Sequence, residues 1–356
     1  MKATHFRSLL LIVLLLAAFG GVQARTESKE PYRVEEVTVQ AGDFTVVGDL
    51  YLPAQGARHP LVVWVHGSGP MTRKLFAPLI QPQIDLFLKA GFAFFIDDIP
   101  GAGASKGEIK SVFNDRALIL AKEVEALKAR PDIIPDRIGV AGVSQAGIVM
   151  PLATTMTTDI AFMIAEACVA ECAYKQDAFL MEHFMICEGR PAEEARKAAG
   201  LYLRRFETSD YQEYKAAAEF LNADEIVKLM ELNPGIASEE RFKARDKSPS
   251  KLGNYFDPMP LVAKMSFPIL ALFGEKDNNC DSRQGAEAYR RAFKTAAHKL
   301  NRVEMIPDAN HALYEAKTGC VRELMAQVAE GKPRYGSRFL SVLAEWLDQL
   351  QRQFGS

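Results

Sequence analysis

The strongest constraint in this chain is a repeated pairing of short apolar runs with stretches of helical spacing. "PLVVWVHG" at 60–67, "FAFFID" at 92–97, "RIGVAG" at 137–142, "IAFMIAEA" at 160–167 and "FPILALFG" at 267–274 are largely continuous in apolar residues. Runs of this length fit strands buried on both faces, as in a parallel sheet. Such strands need helices over both faces. The segments 77–90 and 113–129 read as helices, and in the second Val112, Ala117, Leu120, Val124 and Leu127 fall close to helical spacing. "SRQGAEAYRRAFKTAAHK" and "SRFLSVLAEWLDQLQRQF" read the same way. Strand and helix in alternation predict a mostly parallel α/β sheet with flanking helices.

Two further runs, "YRVEEVTVQ" and "FTVVGDLYLP", are split by Ala41-Gly42-Asp43 and predict a hairpin at the start. "RVEMIP" at 302–307 supplies the last strand, for eight in all. Between 172 and 256 the character changes to Ala, Glu, Lys and Leu at helical periodicity, with no strand signal. Turn residues in "KARDKSPSKLGNYFDPMP" close it. Because a strand of the same sheet follows, the stretch reads as a helical cap or lid inserted into one domain. The expected organisation is 1–24 leader, 25–171 first part of the core, 172–256 cap and 257–356 second part of the core.

The leader has a basic start (Lys2, Arg7), an apolar stretch from Leu9 to Phe19 and small residues around Val22 and Ala24. This is the pattern of a secretory signal cleaved after Ala24, and the apolar stretch is short for a membrane span. The expectation is therefore a secreted or periplasmic protein with no stable membrane span after cleavage. The formal net charge of −2 offers no basic excess for nucleic acid. Export makes disulfides possible, and five cysteines leave at least one unpaired within the chain. Cys168, Cys172 and Cys187 lie near or within the cap. Cys280 and Cys320 flank two loops that carry candidate site residues, so they are the candidate bridge, with buried free thiols as the alternative. None of the spacings matches a zinc site.

Four motifs sit at strand ends. Ser144 lies in "GVSQAG", between a strand and a helix. Asp277 lies in "GEKD", His311 in "PDANHAL", and "HGSG" at 66–69 ends the third strand. A serine hydroxyl is a weak nucleophile until a base takes its proton, and histidine suits that role near neutral pH. A buried carboxylate fixes the imidazole tautomer and stabilises the imidazolium. The tight turn aims the backbone N–H of Gln145 at a developing oxyanion, and a second N–H would come from Ser68, with Gly69 as neighbour. Asp281 and Asp308 are alternative carboxylates. Of the other histidines, His5 is in the leader, His66 in the "HGSG" loop, His59 before a strand, and His183 and His298 in helical runs.

The order Ser…Asp…His resembles that of the α/β-hydrolase superfamily. The resemblance rests on His66-Gly67-Ser68-Gly69-Pro70, on the glycines of "DIPGAGASKG", on Gly142-x-Ser144-Gln145-Ala146-Gly147, on Gly274-x-x-Asp277 and on Asn310-His311. It is nearest to exported bacterial serine esterases related to dienelactone hydrolases, prolyl-oligopeptidase-type hydrolases and acyl-CoA thioesterases of the bile-acid acyltransferase group. It implies an α/β-hydrolase fold, Ser144 as nucleophile, His311 as base and Asp277 as acid. It implies an acyl-enzyme and neither metal nor organic cofactor. Ala146 replaces the usual glycine of the turn and fits there if its φ stays negative. "GAGASKG" lacks the Gly-Lys-Ser/Thr order of a phosphate loop.

The expected activity is hydrolysis of small-molecule carboxylic esters with small to medium acyl groups. A peptidase, amidase or thioesterase on the same fold is the alternative, and a non-catalytic binding protein is a third. In "DAFLMEHFMIC", Phe179, Met181, Phe184 and Met185 are either core of the cap or the border of an acyl pocket. The oligomeric state does not follow from these residues.

Overall fold

A computed structural model describes residues 32–230, 232, 235–245, 253–331 and 334–355. The leader expected at 1–24 lies outside the described residues. The strands are β1 (Tyr32–Ala41), β2 (Phe44–Pro53), β3 (His59–Val65), β4 (Ala93–Asp97), β5 (Ile133–Val143), β6 (Phe162–Glu166), β7 (Ile269–Gly274) and β8 (Arg302–Ile306). They form one sheet in the order β1-β2-β4-β3-β5-β6-β7-β8. The opening hairpin is antiparallel, and β2 meets β4 antiparallel. From β4 across to β8 every pairing is parallel.

Among the described residues, nine helices of eight residues or more accompany the sheet. They are α1 (Gln81–Lys89), α2 (Val112–Lys128), α3 (Ala146–Ala153), α4 (Ala173–Cys187), α5 (Ala192–Glu207), α6 (Tyr211–Ala223), α7 (Ser282–Ala292), α8 (Val321–Ala329) and α9 (Phe339–Gly355). The continuous apolar runs resolve into two faces, as the two-residue period of a strand requires. In β3, Leu61, Val63 and Val65 join the core under α2, α3 and α7, with Leu120, Val149 and Tyr289. Val62 and Trp64 join the opposite core under α1 and α9, with Phe87, Leu343 and Trp346. Burial of each such large side chain stabilises by about 1.5–3 kcal/mol. The helix α8 has no counterpart in the sequence reading. None of its residues is buried, although Val321, Leu324, Met325 and Val328 recur at helical spacing.

Between β6 and β7 the chain leaves the sheet to form α4, α5 and α6. These pack on a core of their own that includes Met181, Met185, Tyr202, Phe206 and Leu221. Met181 and Met185 are 0% and 1% exposed within it, so they hold the cap together and do not border an acyl pocket. Phe184 is half-buried against the same core, and Phe179 stacks on His183 with ring centroids 3.9 Å apart.

The cap is tied to the sheet-end loops by a disulfide between Cys187, at the end of α4, and Cys320, just before α8. The expected Cys280–Cys320 bridge is therefore incorrect. Cys280 is buried as a free thiol, and the cap folds back to bring Cys187 to the His311 side of the site. Glu188 and Arg322 extend the tie with a hydrogen bond of 2.7 Å, and Gln176 of α4 donates to the carbonyl of Asn279. The bridge joins residues 133 apart, and losing a link across so long a loop costs about 2–5 kcal/mol. Reductant is expected to lower the thermal midpoint of the wild-type chain and leave that of Cys187→Ser unchanged. Equal midpoints for wild type with and without reductant, with both thiols verified free, would deny the bridge any role in stability.

Candidate active site

Ser144 occupies the turn between β5 and α3 with φ of 59°, a left-handed conformation that costs a non-glycine residue about 1–3 kcal/mol. Backbone hydrogen bonds hold it there. Its N–H donates to Glu166 O at 3.2 Å, and its carbonyl accepts from Gly147 N at 3.0 Å and Val169 N at 2.9 Å. The glycines on either side explain how alanine is tolerated at 146. A Cβ on Gly142 would stand 2.4 Å from Val65 O and 2.6 Å from the Ala146 Cβ, and one on Gly147 would stand 2.3 Å from Val169 O. The close approaches fall at 142 and 147, while Ala146 lies fully buried at the start of α3 without a positive φ.

Asp277 follows β7, with its side chain fully buried. Its Oδ1 accepts from the backbone N–H of Asn279 at 2.7 Å and of Cys280 at 2.9 Å. Its Oδ2 accepts from Nδ1 of His311, in the loop after β8, at 2.9 Å. The carboxylate is thus anchored on one oxygen and presents the other to the imidazole. That contact holds the proton on Nδ1 and leaves the Nε2 lone pair open. The two alternative carboxylates are engaged elsewhere. Asp281 caps α7 by accepting from Gln284 N at 3.0 Å, and the exposed Asp308 pairs with Lys276 at 2.8 Å.

No hydrogen bond joins Ser144 to His311 among the described residues, and Cys280 lies near both. Its thiol lies close to the Ser144 side chain, and burial pushes its pKa well above the usual thiol value. Ligating atoms of Cys280, Asp277 and His311 lie within 4.8 Å of one another. The serine and the Asp–His pair therefore share one small neighbourhood. The sequence suggested Cys280 as one end of a bridge between these loops; in the fold it is a free thiol inside the site. Lone cysteines carry no positional signal, and only the folded loop turns this one inward.

The loop after β3 closes the other side. A Cβ on Gly67 would stand 3.4 Å from that of Ser144, so this loop runs directly beside the serine. Ser68 is half-buried next to it, and Gly69 takes a positive φ of 99°. Gln145 follows the serine as the residue preceding α3. Behind β6, Glu166 is buried and accepts from Gln83, whose own Oε1 accepts from Tyr335 at 3.2 Å. Burial pushes Glu166 up to about 8, so at neutral pH it is largely a neutral acid.

This sheet order, with Ser144 after β5, Asp277 after β7 and His311 after β8, defines an α/β-hydrolase. A match over residues 42–301 goes further, and the chain belongs to the X-Pro dipeptidyl-peptidase (S15) family. It is a hydrolase of that fold. Among solved structures, an esterase of Pyrococcus furiosus is similar over 92% of this chain and 96% of its own, at 15% identity and a TM-score of 0.54. An acylaminoacyl peptidase of Pyrococcus horikoshii is similar over 90% of this chain and 42% of its own, at 15% identity and a TM-score of 0.51. An α/β-hydrolase from a Penicillium species is similar over 90% of this chain and 99% of its own, at 16% identity and a TM-score of 0.50. At such identities the likeness speaks for the fold alone. Among curated proteins none matches the chain.

Proposed function

We propose that this chain is an exported serine hydrolase that cleaves carboxylic esters through an acyl-enzyme. The observation that carries the proposal is the His311–Asp277 hydrogen bond of 2.9 Å beside a serine held at positive φ. In the reaction, Nε2 of His311 takes the proton of the Ser144 hydroxyl as Oγ attacks the ester carbonyl. The backbone N–H groups of Gln145 and Ser68 receive the oxyanion. The tetrahedral intermediate collapses, His311 returns the proton to the leaving alcohol, and Ser144 keeps the acyl group. Water then attacks with His311 as base again, releasing the acid and restoring the serine. The cap disulfide agrees with export, since such bonds persist in oxidising compartments.

A second reading, favoured by the family match, is a peptidase that releases X-Pro dipeptides. Fold and nucleophile are the same in both, and the pocket decides. A fluorophosphonate probe is expected to label wild-type protein at Ser144 and to leave Ser144→Ala unlabelled. A panel of p-nitrophenyl esters, acyl thioesters and Gly-Pro-p-nitroanilide then separates the readings. Esters are expected to give a kcat/KM at least about tenfold above the others, a margin of about 1.4 kcal/mol in transition-state binding. Fastest turnover of the Gly-Pro anilide would replace the esterase by the peptidase. Absence of labelling would leave a binding protein.

A further inference from the structure

Behind the loop after β3 lies a buried charged group that the reaction above does not use. Arg116 projects from α2 and is only 7% exposed. One of its nitrogens, Nη1, donates to Gly67 O at 2.8 Å and to Gln145 Oε1 at 2.6 Å. The other, Nη2, donates to His66 O at 2.5 Å. One guanidinium thus grips both segments that flank Ser144.

The grip has a directional consequence. The Gly67 carbonyl and the Ser68 N–H belong to one planar trans peptide, so they point in opposite directions. With the carbonyl drawn into the interior by Arg116, the Ser68 N–H must point away from α2. The His66 carbonyl is fixed likewise, which holds the preceding peptide plane. On the other segment, the Gln145 side chain ties the residue after the nucleophile to the same cation. The fork geometry of arginine suits several acceptors at once, and a lysine ammonium does not reproduce it.

The cation is itself built in. Burial raises the pKa values of Asp97, at the end of β4, and of Glu123, two turns along α2 from Arg116, and both carboxyls act electrostatically on the guanidinium. His66 donates from Nε2 to Asp97 O at 2.8 Å, and burial holds it neutral with its pKa lowered to about 3. The guanidinium is therefore buried beside carboxyl partners and hydrogen-bond acceptors, which is how a buried charge is retained.

We infer that Arg116 is a positioning residue that sets the two oxyanion-binding N–H groups of this site, those of Ser68 and Gln145. The inference rests on the reading of Ser144 as the nucleophile. Freed of Arg116, the Gly67–Ser68 peptide can rotate, and its N–H no longer meets the oxyanion. Loss of one such donor costs about 10²–10³ in rate, and it falls on the transition state more than on substrate binding.

The test compares Arg116→Gln, Arg116→Lys and Gln145→Ala on a p-nitrophenyl ester, with active sites counted by fluorophosphonate titration. Arg116→Gln and Arg116→Lys are expected to lower kcat by about a hundredfold with KM within about threefold of wild type. Gln145→Ala keeps the backbone N–H, and its loss of the Arg116 contact is expected to lower kcat by about tenfold. A role in stability alone would lower the thermal midpoint but leave kcat per titrated site unchanged. The inference is overturned by wild-type kcat in Arg116→Lys, by a rise in KM at unchanged kcat, or by wild-type kcat in Gln145→Ala. If Arg116→Gln does not fold, the lysine and Gln145 variants decide. Failure of the wild-type protein itself to label would instead remove the nucleophile reading.

Discussion

Ser144→Ala is expected to lower ester turnover by about 10⁴–10⁶ while circular dichroism and the thermal midpoint stay near those of the wild type. The expectation follows from where the residue sits. Its hydroxyl is the only part removed, and alanine at φ of 59° is no more comfortable than serine, so the turn keeps the same strain. The backbone bonds to Glu166, Gly147 and Val169 are untouched. The hydroxyl makes no other hydrogen bond among the described residues, so its removal should cost little stability. Activity and stability should therefore separate cleanly. Turnover at the wild-type rate in this variant would end the serine mechanism, whatever the substrate.

Asp277→Asn should cost about 10⁴ in kcat, and the reason is visible in the loop geometry. Two backbone N–H groups, of Asn279 and Cys280, point at Oδ1. An asparagine must turn its own oxygen toward those donors, because its NH₂ would face them donor against donor. The NH₂ then meets Nδ1 of His311 and forces that nitrogen to accept. The ring proton moves to Nε2, where it blocks transfer from Ser144. The fold should change little, since shape and most hydrogen bonds survive. Asp281→Asn is the informative control: as a helix cap it should cost a few tenths of a kcal/mol to about 1 kcal/mol of stability and leave kcat near wild type. A collapse of kcat in Asp281→Asn with normal turnover in Asp277→Asn would reverse the assignment.

Both experiments rest on features with different legibility. The buried strands could be read because each is a local run, as in "VVWV" and "FAFF", and a mostly parallel sheet follows once helices must cover both faces; the strand order itself came only from the fold. Ser144, Asp277 and His311 could be named because each follows such a run, where side chains emerge at one rim of a parallel sheet. Cys187 could not be matched to Cys320, because their meeting depends on how the cap helices fold back. Met181 and Met185 carried the composition of a pocket and proved to be core, since helix packing, not residue type, chose their face. Helix α8 escaped although Val321, Leu324, Met325 and Val328 stand at helical spacing, because nine residues are a short window for that period.

Arg116 marks the boundary between the two kinds of knowledge. By itself the sequence determined the alternation of elements and the rank of the chemistry-bearing residues along the chain, because apolar period and turn residues are short-range signals. Only the tertiary structure decided which oxygen of Asp277 meets His311, that a thiol lies near Ser144, and that one buried guanidinium holds the loop after β3 together with the Gln145 side chain. Those outcomes depend on contacts between residues tens to hundreds of positions apart, where ångström placement and side-chain direction matter, and no local pattern encodes them.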